Sequence, residues 1–200
     1  PAPDMSLTDQ GFEPLESRGL TYPMGKFAPD YGVVHPLSKG LGWTRLPVPG
    51  SLKHINVWLL DEADGVAVVD TGWVSDDARA AWGQALDGRR VTRVLATHFH
   101  PDHIGLAGWL CAEHGARLWM NRAEYLLARM LVADKRPEPP VEAVEQLVGA
   151  GWSDDQVGTM KARGWGNFSK IVTPLPIGHV PMREGDVIRI GARDWTVWIG

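Results

Sequence analysis

Cysteine is almost absent: Cys111 is the only one in 200 residues. A lone cysteine cannot close an internal disulfide, so no disulfide framework holds this fold. That usage is compatible with a reducing compartment, and the cytoplasm is the expected location. Long apolar runs are missing as well. A stretch such as Ile55-Asn56-Val57-Trp58-Leu59-Leu60 is far short of the ~18 residues a membrane span needs, so no contact with a bilayer is expected. Basic clusters are also lacking. Twenty Lys and Arg stand against 24 Asp and Glu, a net charge of -4, with no basic run to serve as a nucleic-acid footprint, so no nucleic-acid partner is expected. There is no internal repeat, no low-complexity tract and no signal-peptide pattern at the start, which is Pro1 rather than Met.

What is present suits one folded domain. Hydrophobic residues make up 44% and charged residues 22%, which excludes a disordered chain. A chain of this length buries about 70% of its unfolded surface. Ten tryptophans call for large buried surfaces or an aromatic-lined cleft.

Residues 1–42, rich in Pro and Gly without periodicity (Pro1, Pro3, Pro14, Pro23, Pro29 and Pro36 among them), read as an extended N-terminal arm. Strand signals follow at 43–48, 54–60 and 66–70, the last two joined by an Asp61-Glu62-Ala63-Asp64-Gly65 turn. Ser75 reads as the N-cap of a helix to about Leu86, with Asp76 and Asp77 in its first turn and Gly88 as its stop. A strand at 91–96, a helix from about His103 to His114 and a short strand at 118–120 come next. Residues 122–164 read as three short helices, a helical insertion in the domain formed by 43–200. Strand signals return at 186–190 and 195–199. Strands interleaved with helices predict a sheet covered by helices.

The chemistry lies in Thr97-His98-Phe99-His100-Pro101-Asp102-His103-Ile104-Gly105, directly after the 91–96 strand. If the chain stays extended there, His98, His100 and Asp102 point to one side and His103 turns elsewhere. Four ligand-type side chains within six residues can then serve two metal ions, and imidazole and carboxylate are the ligands of catalytic zinc.

His98-Phe99-His100-Pro101-Asp102-His103 resembles the H-x-H-x-D-H signature of the metallo-β-lactamase superfamily, preceded as in that family by a strand ending in Asp70-Thr71-Gly72. The resemblance covers residues 43–120 well and 186–200 loosely. It implies an α+β fold, an αββα sandwich with a metal site at one edge of two sheets. It implies two zinc ions, one on His98 and His100 and one on Asp102 and His103, with Asp102 also the candidate catalytic residue. Asp70 would orient a ligand or the loop by hydrogen bonding. The family completes its site with a further His, a bridging Asp and a last His. After His103 this sequence offers only His114, read as a helix-end residue, and His179, which precedes a strand rather than following one. The resemblance therefore implies that the 200 residues are the front part of a longer protein, with the sandwich incomplete at its C-terminal end.

The activity so implied is hydrolysis of a small ester, thioester, lactone or amide by a zinc-bound hydroxide. The alternatives are a nuclease or phosphodiesterase of the same superfamily, or a non-catalytic metal-binding fragment. An iron-based oxidoreductase of this fold would call for an acidic residue where His100 stands. Among the remaining residues, Cys111 reads as a small core residue and His35 and His54 as structural. Trp58, Trp195 and Trp198 fit strand cores, and Trp73, Trp152 and Trp165 are the candidates for contact with a small-molecule substrate.

Overall fold

Near-continuous apolar runs such as Val66-Ala67-Val68-Val69 mark strands buried on both faces, and the centre of the sheet is built from such strands. The computed structural model describes residues 11–165 and 168–200; Pro1 and Pro3 of the expected arm lie outside the described residues. Leu15–Ser17 (β1) and Leu20–Tyr22 (β2) form an exposed hairpin. Its turn places Arg18 and Gly19 at positive φ, as a tight two-residue hairpin requires. His35–Ser38 (β3), Leu41–Pro47 (β4), His54–Glu62 (β5) and Gly65–Val69 (β6) run antiparallel. Asp76–Leu86 (α1) crosses over to Val91–Ala96 (β7), parallel to β6. Pro101–Ile104 (α2) and Ala107–His114 (α3) lead to Arg117–Asn121 (β8), parallel to β7. Arg122–Ala133 (α4), Val141–Gly149 (α5), Asp154–Arg163 (α6) and Phe168–Ile171 (α7) precede Val180–Met182 (β9), parallel to β8. Strands β3 to β9 form one seven-stranded sheet in chain order. Val187–Ile190 (β10) and Arg193–Thr196 (β11) pair as a separate hairpin.

Two cores result. Val57 and Leu59 of β5, Val66 and Val68 of β6 and Val94 and Ala96 of β7 pack with Trp82, Ile104, Leu110 and Cys111 of the helices. The intervening Leu60, Ala67 and Leu95 face the other way, onto Ile188, Ile190 and Trp195 of the β10–β11 hairpin. The order is helices, sheet, hairpin, an α+β arrangement as expected. Among the described residues, no helix is long and apolar enough to cross a membrane.

Several expectations need adjusting. Residue 42 is not where sheet structure begins: Pro36 in β3 already pairs with Gly42 in β4, at a sheet edge where a proline costs no ladder bond. The helix expected over 103–114 is two helices. Pro101 starts α2 at its first turn. At Gly105 the carbonyl is taken by the Thr173 amide at 2.8 Å, and the Leu106 amide goes to the Gly72 carbonyl at 3.2 Å. Both groups are thus diverted from a continuous helix. The last strand is Arg193–Thr196 rather than 195–199, because the Ile190–Arg193 pairing closes a tight turn. Trp198 lies beyond it and is 81% exposed rather than in a core.

Candidate metal centre

The ligand-type residues follow β7 in a segment that is neither strand nor helix until α2 begins. Extended alternation therefore stops at Ala96, and Asp102 and His103 stand in the first turn of α2. The turn, not the period of a strand, brings the four residues together. The His98 ring centroid lies 4.6 Å from that of His100 and 4.0 Å from that of His103. His103 is thus part of the cluster instead of pointing elsewhere. His98 Nε2 and His100 Nδ1 face each other at 3.0 Å, and Asp102 Oδ2 lies 3.4 Å from His103 Nε2.

Asp70 organises this cluster from beneath. It is almost wholly buried and sits at φ 62°, a left-handed conformation that Asp tolerates better than most residues. Its carboxylate accepts from the Thr97 amide at 2.9 Å and from Thr97 Oγ1 at 2.9 and 3.0 Å, and lies 2.8 Å from His103 Nδ1. The next residue continues the grip, Thr71 N and Oγ1 both donating to the His103 carbonyl, at 2.7 and 2.8 Å. Trp82 Nε1 donates to the Thr71 carbonyl at 2.8 Å, fixing the turn to the helical core.

These partners dictate tautomers. An ionised Asp70 only accepts, so His103 Nδ1 carries hydrogen and Nε2 is the atom left for a cation. The one Thr97 hydroxyl proton goes to Asp70, so Oγ1 accepts from His98 Nδ1, 3.0 Å away, and His98 Nε2 keeps its lone pair. Burial lowers the His98 pKa, and the neighbouring His103 and His100 lower it further. A neutral ring with its free nitrogen facing another imidazole nitrogen has the donor chemistry of a ligand pair. Two nitrogens on one tetrahedral zinc stand about 3.4 Å apart, so the 3.0 Å pair needs only a small side-chain rotation. Among the described residues no three or more His, Cys, Asp or Glu side chains are arranged so that they could hold a metal ion. The donor chemistry nevertheless fits a divalent cation.

For His103 burial alone would lower the pKa, but the hydrogen bond and charge of Asp70 and the charge of Asp102 outweigh it and raise the value. The raised folded-state pKa means that the protonated His103–Asp70 pair contributes stability fully below the unfolded value of about 6.5. That contribution is lost as pH rises through the folded value. The metal-free protein should therefore exceed His103→Gln in unfolding temperature by more at about pH 5.5 than at about pH 8.5. Thermal melts at the two pH values check this; a margin that widens with pH would contradict it.

A cavity of about 600 Å³ opens beside His98, with Val69, Leu95, Glu124, Met182 and Trp195 among its walls. Trp198 also lines it, whereas Trp73, Trp152 and Trp165 do not; Trp165 instead donates its indole N–H to Asp134 at 2.9 Å. His179 stacks on Tyr125 at 3.8 Å, His114 ends α3 ahead of the left-handed Gly115, and Cys111 is buried with its pKa pushed up to about 11. None of the three joins the cluster. Two residues that do belong to it escaped the sequence reading. Thr97 had a signal in its place immediately before His98. Glu124, which accepts from the Phe99 amide at 2.9 Å, had none, because a Glu in the first turn of a helix reads as an ordinary helix-start acid.

Residues 50–181 match the family described as the metallo-beta-lactamase superfamily. A beta-lactamase domain protein from Burkholderia ambifaria is similar at 36% identity and a TM-score of 0.70, over 88% of this chain and 52% of that one. A metallo-beta-lactamase family protein from Thermus thermophilus is similar at 29% identity and a TM-score of 0.62, over 79% of this chain and 50% of that one. The chain thus spans about half the length of these two structures. No curated protein matches it.

Proposed function

Because the chain belongs to the metallo-β-lactamase superfamily, we propose that it carries cation ligands of a zinc-dependent hydrolase acting on a small ester, thioester, lactone or amide. Its α+β fold is of the metallo-β-lactamase type expected from the motif. The observation that carries the functional reading is the facing pair His98 Nε2 and His100 Nδ1, with Asp102 and His103 one turn further on. His98 and His100 would hold one zinc, Asp102 and His103 a second, with Asp102 also the catalytic candidate. Bound zinc would supply Lewis acidity toward the substrate oxygen and make water acidic enough to attack near neutral pH.

The chain's own residues do the positioning. Asp70 accepts the His103 Nδ1 proton, and Thr97 relays the same carboxylate to His98, so both rings present Nε2 outward. The apolar walls beside His98 suit an apolar substrate part. The cavity volume is in the range of small-molecule sites. The net charge of -4 without a basic run favours such a substrate over nucleic acid, and no membrane partner is invoked.

Metal analysis of the zinc-reconstituted protein tests the reading. Two zincs per chain are expected, together with turnover of at least one member of an ester, thioester, lactone and amide panel. Failure to take up any metal would sink the proposal. Salt-dependent binding of RNA or DNA would instead favour the phosphodiesterase alternative.

A further inference from the structure

Residues 97–100 lie between a ladder and a helix, so their amides must find partners outside regular structure. The Thr97 amide goes to Asp70, and the Phe99 amide goes to Glu124 Oε2 at 2.9 Å, across 25 positions of the chain. Phe99 is the residue between the two facing imidazoles. A carboxylate holding its amide therefore governs the backbone that carries both rings.

The source of that carboxylate is itself braced. Glu124 is the third residue of α4, a position from which Glu commonly reaches back to the amide of its own N-cap. Here the cap is made without it: Asn121 Oδ1 accepts from the Ala123 amide at 2.8 Å. Asn121 Nδ2 also donates to the Met182 carbonyl at 3.3 Å, tying the start of α4 to β9. The half-buried Glu124 is free to point at the histidine loop from a fixed helix end, and a hydrogen bond to an ionised acceptor is among the stronger kinds.

We propose that Glu124 is a positioning residue, whose carboxylate, by accepting the Phe99 amide, fixes the separation of His98 and His100 and so the cation site they form. The inference rests on the cation-site reading above, and it extends that reading to a residue far from the motif in sequence.

The test compares wild type, Glu124→Ala and Glu124→Gln, the last keeping an acceptor oxygen at the same reach. In the metal-free protein the Phe99 amide should be protected from hydrogen exchange, and should exchange at least about tenfold faster in Glu124→Ala. Cobalt(II) affinity should fall about 10- to 100-fold in Glu124→Ala, as for other residues that orient a ligand, with an altered visible spectrum. The metal-free unfolding temperature should stay close to wild type. Glu124→Gln should restore the protection and most of the affinity. Unchanged affinity and spectrum in Glu124→Ala, or equal losses in both variants, would overturn the proposal. Should wild type bind neither cobalt nor zinc, the cation-site reading fails on its own. The Phe99 exchange rate then decides the clamp alone, and equal rates in wild type and Glu124→Ala overturn it.

Discussion

His100→Ala and Asp102→Ala should each abolish the zinc-dependent turnover proposed above while leaving the metal-free protein folded. The two positions are chosen by their contacts. His100 is exposed and meets His98 across 3.0 Å, and Asp102 lies 3.4 Å from His103. Neither side chain is in a hydrophobic core, but His100 packs on Phe99 at 4.7 Å and the Asp102 side chain is only 16% exposed, so each change should cost about 1 kcal/mol, the centre of the range for point substitutions. The effect on metal should be much larger. Removing a residue that only orients a ligand costs about 10- to 100-fold in affinity or activity, and removing a ligand itself should exceed that range. Calorimetric zinc titration, turnover on the substrate panel and thermal melts of the metal-free variants would be read together. Retained activity in both variants would rule out the site. His103 is a poorer probe, because its contact with Asp70 makes loss of metal and loss of stability inseparable.

Gly108→Ala should be strongly destabilising for so small a change. A Cβ at Gly108 would stand 2.1 Å from the Pro174 carbonyl oxygen and 3.1 Å from Thr173 Oγ1. Backbone must therefore move. The segment that moves carries Thr173, whose amide and hydroxyl both donate to the Gly105 carbonyl, at 2.8 and 2.7 Å, and whose Oγ1 accepts from the Trp109 amide. Overpacking costs about 1–3 kcal/mol, and loosening these buried hydrogen bonds adds about 1 kcal/mol each. Against this, alanine gains about 1 kcal/mol of helix propensity over glycine. The clash wins, for a net loss of about 3–5 kcal/mol. At roughly 2–4 °C per kcal/mol for a chain of this size, the melting temperature should drop well outside error. Gly83→Ala is the control. It lies in α1 with nothing within 4 Å of the added Cβ, so propensity alone should act and stabilise slightly. A Gly108→Ala protein as stable as wild type would show that the 172–175 segment is not held as described.

Where local chemistry decides, the sequence was sufficient. The strand at Val91–Ala96 has the bounds its apolar run predicts, and Ser75 caps α1 by accepting from the Ala78 amide. The histidines could be found because they are close in sequence and carry their chemistry in their side chains. What escaped is set by distant partners. Val180-Pro181-Met182 contains a proline and no periodic signal, and becomes β9 only because β8 offers it an open edge. The break between α2 and α3 depends on Thr173, 68 residues from Gly105. Trp198 alternates like a core residue, yet it lies past the last paired residue of β11. Thr97 acts through its hydroxyl and Glu124 through a carboxylate that accepts the Phe99 amide, roles that leave no spacing to recognise.

The grip of Asp70 and Thr71 on the histidine segment has a thermodynamic consequence. Ordering a loop costs about 1–2 kcal/mol of backbone entropy per residue. Here Thr97 is held by its amide and hydroxyl and His103 by its carbonyl and ring, so that cost is met when the chain folds. A cation arriving at His98 and His100 would not have to freeze the loop, and more of the intrinsic ligand–metal attraction would survive as affinity.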